Sequence, residues 1–299
     1  MSSPTKAKAV DTHSGIRPAI STLSALLALV FTFSVGADET RRAVVGTPQV
    51  EACSQRYTAA EAPRLPQASG NGLAAVRQAF HTSRHWGEEN LELLGTELNG
   101  LDEASLRVHY PAGSSSPSDT FEGGAGFYSD PPSLRGSERA CLSYMLRFPP
   151  DFDFVQGGKL PGLYGGEAPS GGDEVDGTQG FSQRLMWREN GQGELYPYVV
   201  GFEGASIGRG FWHFPVGRWV QVEQEVVLND PGQKNGVVRI WIDGQPVLEQ
   251  QKVVFRTTPD ITIDGLMFST FFGGTGEGWR TPRDQYVDFA AFRFFTSRP

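Results

Sequence analysis

Phe181–Val200 reads FSQRLMWRENGQGELYPYVV, two alternating runs on either side of a polar break that carries glycine. Alternate residues of a strand share a face. Ser182, Arg184, Met186 and Arg188 therefore line one side of the first run, while Phe181, Leu185 and Trp187 take the other. Tyr196 and Tyr198 form a same-face pair in the second run. The apolar side belongs in a core, which leaves the arginine side facing a groove. For the tyrosines to share that groove, the connection must be an odd loop or a bulge, with Gly191 or Gly193 at positive φ. A three-residue turn at Asn190–Gln192 would set Arg184 opposite Tyr198.

The same period recurs outward from this hairpin. Arg139–Phe148 (RACLSYMLRF) places Leu142, Tyr144, Leu146 and Phe148 on one face. Ser105–Tyr110, Trp219–Leu228, Val237–Ile242, Ile261–Phe272 and Tyr286–Phe295 read as further strands, and Glu89–Leu94 as a weaker one. Asp243–Gly244 after Val237–Ile242 is a hairpin signal. Pro111–Pro132 has a loop composition. With 37 glycines, 20 prolines and 20 phenylalanines, the chain favours turns and strands over helices. The expected fold is all-β, an antiparallel β-sandwich.

Lys6, Lys8 and Arg17 precede an apolar run near Ala19–Val35, with small residues before Asp38. Residues 1–37 read as a signal peptide, with a retained single-pass membrane anchor as the alternative. Processing after the Arg41–Arg42 pair is a further option. Residues 38–80, rich in Ala, Pro, Gln and Ser, read as a linker with one short helix near Leu73–Phe80. The expected location is extracellular, and no stable membrane association is expected unless the N-terminal segment is retained. Cys53 and Cys141 are candidates for a disulfide in an oxidising compartment. No N-x-S/T sequon is present. The formal net charge of −8 argues against a nucleic-acid partner. The five histidines lack ligand spacing beyond His81-x-x-x-His85, so neither a metal nor a cofactor is expected. A monomer is expected.

Between the strands lies Gly157–Gly166, GGKLPGLYGG, which reads as a glycine-rich loop carrying Lys159. Glycines let backbone wrap a ligand, but the spacing of a phosphate loop is absent. A lysine, an arginine and two phenols aimed at one surface suit an anionic substrate whose proton must be moved. Beside two cations, a phenol pKa is expected to fall, which suits a tyrosine base.

GGKLPGLYGG, the S-x-R of FSQRLMWR and the Y-x-Y of LYPYV together resemble the family-14 polysaccharide lyases. SLRVHYPAGSSSP, WVQVEQEVVLN with VVRIWIDG, and FSTFFGGTG extend the resemblance over Leu91 to Phe295. It implies a concanavalin A-like jelly roll spanning residues 81–299. The implied activity is β-elimination on uronic-acid polymers such as alginate or glucuronan. It places the essential lysine at Lys159, the serine and arginine at Ser182 and Arg184, and the two tyrosines at Tyr196 and Tyr198. Ser182, Tyr164 and Arg188 are expected to bind substrate. No histidine lies between Lys159 and Ser182, so that stretch supplies no imidazole base. Tyr198 or Tyr196 can serve as base, as acid or as both, with Lys159 the competing base, and the residue types alone do not choose.

Two rivals share the expected fold. A glycoside hydrolase needs two placed carboxyls, and Glu174–Gln179 (EVDGTQ) ends in glutamine where the E-x-D-x-x-E strand of such enzymes has its last acid. A non-catalytic sugar-binding module is the other rival.

Overall fold

In a computed structural model, residues 44–67, 69–119 and 123–296 are described. The expected signal segment lies outside them. The strands are β1 (Val44–Gly46), β2 (Gly70–Asn71), β3 (Thr82–Trp86), β4 (Leu91–Leu94), β5 (Ser105–Tyr110), β6 (Ala125–Ser129) and β7 (Arg139–Arg147). They continue with β8 (Gly157–Gly166), β9 (Gly180–Arg188), β10 (Gly193–Tyr198), β11 (Val220–Val227) and β12 (Gly236–Ile242). The last three are β13 (Gln245–Val253), β14 (Gly265–Thr270) and β15 (Gln285–Thr296).

They form two antiparallel sheets, a nine-stranded one ordered β1-β13-β12-β11-β7-β15-β5-β4-β2 and a six-stranded one ordered β10-β9-β8-β14-β6-β3. The alternation read from the sequence decides which side chains meet between them. Leu142, Tyr144 and Leu146 from β7 share one core with Phe181, Leu185 and Trp187 from β9. Phe127 stacks on Phe268 with ring centroids 4.5 Å apart, and Trp187 packs edge-on against Tyr110, Phe148 and Phe272. The jelly-roll sandwich is therefore present.

Two expectations need correction. Gly157–Gly166 is not a loop but a ten-residue strand, paired to β9 and β14. Its glycines are needed because neighbours press on it: a Cβ on Gly158 would lie 2.0 Å from the Trp187 ring. Pro161 donates no hydrogen bond, and a bulge falls between Leu160 and Leu163. The N–H of Leu163 is instead accepted by Gln224 Oε1, 2.8 Å away across the sandwich. Pro111–Pro132 likewise contains β6.

Second, the expected linker is part of the sandwich. β1 pairs with β13, β2 pairs with β4, and Gly72–Ala79 forms a helix capped by Asn71. The short helix Cys53–Arg56 docks on the outer side of β7 and β11, where Cys53 is disulfide-bonded to Cys141. Ser54 there donates to Glu223, and Arg56 pairs with Glu225, which also holds Arg239. Composition concealed this role because the partners, two buried glutamates and a cysteine, lie far along the chain.

The bridge spans 88 residues with Cα atoms 6.4 Å apart. Closing a loop of that length restricts the unfolded chain, so Cys141→Ser should lower the unfolding free energy by about 2–4 kcal/mol. Denaturant titration of the two proteins reads this directly. An unchanged midpoint would mean that the packed N-terminal segment needs no covalent tie.

Candidate active site

The six-stranded sheet presents its outer face as a cleft of ≈ 490 Å³. Register explains the convergence. In the β9–β10 pair, Tyr196 lies opposite Arg184 and Tyr198 opposite Ser182. The Arg188 N–H donates to the Gln192 carbonyl, which leaves the odd, three-residue turn Glu189–Gly191 between them, with Gly191 at φ 75° and Asn190 at φ 57°. Arg184 is thus opposite Tyr196 rather than Tyr198, a shift of two that keeps the face. On the other side, β8 brings Lys159 opposite Met186.

Lys159, Arg184, Tyr196 and Tyr198 all line the cleft. Lys159 Nζ stands 3.8 Å from the centre of the Tyr196 ring and 3.0 Å from Met186 Sδ. The Arg184 guanidinium carbon is 5.9 Å from the Tyr196 ring centre and 6.0 Å from that of Tyr198. Lys159 is 7% exposed and Arg184 3%, yet among the described residues neither forms a salt bridge, and Arg184 Nε has no hydrogen-bond partner. A buried guanidinium without a carboxylate is costly unless a ligand supplies one.

Burial and the nearby charges of Arg184 and Arg188 push the Lys159 amine well below its ordinary pKa. Burial also lowers Arg184, though a guanidinium stays charged. The Tyr196 phenol is pushed up to about 12 by burial and by its hydrogen-bonded neighbour Tyr198, against the opposing pull of Arg184. This reverses the expected fall in phenol pKa: desolvation outweighs the cation here. Tyr198 Oη accepts the N–H of Gly172 at 2.9 Å.

The three expected substrate-binding residues do not line the cleft. Ser182 Oγ donates to the Pro169 carbonyl at 2.6 Å and pins the 167–179 loop. Arg188 pairs with Glu194, which Ser206 and Arg209 also engage. Burial alone would raise the Glu194 pKa, but the hydrogen bonds from Arg188 and Ser206 hold it below the usual range. Tyr164 is buried, its hydroxyl donating to Asp130, and burial raises its pKa. Glu174 and Asp176 sit in the 167–179 loop rather than on a strand. Cys53, Cys141 and Glu225 group closely enough to suggest a metal, but the two sulfurs are bonded to each other.

The opposite wall was not read from the sequence. Trp86, Tyr128, Ser269 and Phe271 supply it from β3, β6 and the end of β14. Thr82–Trp86 has no strand expectation and β6 falls inside the expected loop Pro111–Pro132, while Ser269 and Phe271 lie on the expected strand Ile261–Phe272 but carry no charge to single them out. Gly204, at φ 66°, is a further omission: a Cβ there would lie 3.0 Å from Tyr196 Oη.

A jelly roll whose open sheet carries an unpaired arginine, a desolvated lysine and two phenols has the makings of a polysaccharide lyase. The profile of Polysaccharide lyase 14 matches residues 99–292. The chain belongs to that family. It is similar to the PL-14 alginate lyase of Aplysia kurodai, with 30% identity, a TM-score of 0.70, and coverage of 80% of this chain and 100% of that one. It shares its fold with the alginate lyase vAL-1 from Chlorella virus, at 22% identity and a TM-score of 0.57, covering 71% and 95% of the two chains. Exolysin of Paramecium bursaria Chlorella virus 1 is 25% identical over 187 residues, 51% of this chain. The chain spans only 29% of the length of that relative.

Proposed function

We propose that the protein cleaves β-1,4-linked uronic-acid polymers, glucuronan or the polymannuronate blocks of alginate, by β-elimination in this cleft. The observation that carries the reading is the buried Arg184 guanidinium, which faces the cleft without a carboxylate partner among the described residues. A uronate brings the missing anion. Arginine's planar fork takes a carboxylate with two hydrogen bonds. Neutralised in this way, the carboxylate can accept the negative charge that develops when the adjacent C5 proton leaves.

The pKa directions separate base from acid. A phenol with a pKa of about 12 keeps its proton at neutral pH, so Tyr196 suits the donor's role. The Lys159 amine, held well below its ordinary pKa by burial, gives up its proton more readily than a free lysine and so suits the base's role. In the proposed step, Lys159 takes the proton from C5 and the C5–H electrons form the C4–C5 double bond. The C4–O4 bond breaks, and the leaving oxygen receives a proton from Tyr196 or from Tyr198 beside it. No water is consumed. Among the described residues, no Asp or Glu lines the cleft, whereas a hydrolase requires two placed carboxyls.

All four groups come from adjacent strands on one face of the sheet. That suits a proton and a leaving group on the same side of the sugar ring, as in β-D-mannuronate and β-D-glucuronate. In guluronate they lie on opposite sides. Purified protein assayed on the three polymers at matched length should release unsaturated product from polymannuronate or glucuronan at least tenfold faster than from polyguluronate. Equal or faster release from polyguluronate would refute the one-face arrangement.

Export from the cell belongs to the same reading, supported by the disulfide, which suits an oxidising compartment. The proposed working form is an extracellular monomer acting on polymer outside the cell.

A further inference from the structure

The cross-strand register places a second arginine at the far end of the row that begins with the catalytic pair. Tyr196 lies opposite Arg184 on β9. A Cβ on Gly162 of β8 would lie 2.8 Å from Arg184 Cα, so Gly162 is the next member of the row. Gly162 pairs with Met267, Met267 with Tyr128, and Tyr128 with Arg84 of β3. Arg84 is exposed, with its guanidinium carbon 3.7 Å above the centre of the Tyr128 ring. It makes no ion pair among the described residues, whereas most of the other described arginines pair with a carboxylate. Two residues on, Trp86 shares the face and lines the same cleft. Its indole lies against Gly126, where a Cβ would approach Nε1 to 2.1 Å, so glycine is what lets the indole lie down on the sheet.

We propose that Arg84, held over Tyr128 and flanked by Trp86, is a distal subsite that takes the carboxylate of a uronate further along the chain being cut. The proposal rests on the uronan reading of the cleft and adds the direction in which the polymer runs, across the strands from β10 towards β3. Arg184 and Arg84 are four strands apart, roughly 19 Å at the usual strand spacing, which exceeds one sugar ring. Between them Gly162 adds no side chain and Met267 a low apolar one. Stacking on the ring fixes the guanidinium at little entropic cost and leaves its N–H fork free for an anion. Trp86 offers its apolar face to a sugar ring.

Binding and turnover test this separately. Lys159→Ala protein, with and without Arg84→Ala, is titrated with oligomannuronates and oligoglucuronates of increasing length at two salt concentrations. Chains long enough to span the row should bind roughly fivefold more weakly without Arg84, as for a partly exposed charge pair. The shortest chains should bind equally, and the salt dependence on long chains should fall. On an otherwise unaltered protein, Arg84→Ala should lower kcat/KM for long chains through KM, and leave the shortest cleaved chains unchanged. Arg84 is exposed, so the fold should survive, and an unchanged melting curve checks it. Equal loss at every length, or none on long chains, overturns the subsite. Absence of turnover in the unaltered protein would count against the lyase reading, while the length dependence of binding would still decide Arg84.

Discussion

Replacing Lys159 with alanine is expected to lower turnover on a uronan by on the order of 10²–10⁴, the usual contribution of a placed general base. Lys159→Met is expected to be as inactive, yet more stable than the unaltered protein. The amine is buried and its pKa is held well below that of a free lysine. The unfolded chain therefore binds a proton that the folded chain does not, and stability is lost as the pH falls from the ordinary lysine range towards the depressed value. Methionine removes that penalty in a site already lined by Met186 and Phe271. Melting curves at neutral pH should show the Lys159→Met protein with the higher Tm, and the gap should narrow as the pH is raised. A lower Tm at every pH would mean that the amine is structurally anchored rather than held for chemistry. The rate itself should climb as the pH rises through the depressed Lys159 pKa, and fall once Tyr196, at about 12, ionises.

Arg184→Ala is expected to cost on the order of 10²–10³ in kcat, the loss typical of removing one charge-stabilising donor. Arg184→Lys should recover little of it, because an ammonium cannot reproduce a planar two-point contact. The effect should appear in kcat more than in KM, since the charge it meets grows as the C5 proton departs. Near-normal turnover in Arg184→Ala, measured beside an unchanged melting curve, would remove the arginine from the reaction.

Much of this site was legible because strand period is a strict code. The alternation in Phe181–Arg188 and Gly193–Tyr198 was enough to put Arg184 and the tyrosines on one face, and register confirmed the face while shifting the partner by two. Cys53 and Cys141 were paired from their number and an expected oxidising compartment. What failed was whatever depended on distant chain. Gly157–Gly166 looked like a loop, since glycine weakens a strand. The pressure of Trp187, Thr262 and the β9 backbone that demands those glycines cannot be seen from the segment itself. The phenol pKa was misjudged because charges can be counted in a sequence and burial cannot. Trp86 and Tyr128 went unread because they reach the cleft only through the pairing of β3, β6 and β14.

Cleavage by elimination, at Arg184 and Lys159, is the claim on which the rest depends, and the mass of the products tests it most directly. Saturated polymannuronate and glucuronan of defined length, incubated with the purified protein, should give fragments whose new non-reducing ends are one water lighter than hydrolysis would leave. Those fragments should absorb in the ultraviolet through the C4–C5 double bond, and the Lys159→Ala protein should yield neither signal. Fragments carrying the full mass of added water, or binding of both polymers without any scission by the unaltered protein, would contradict it.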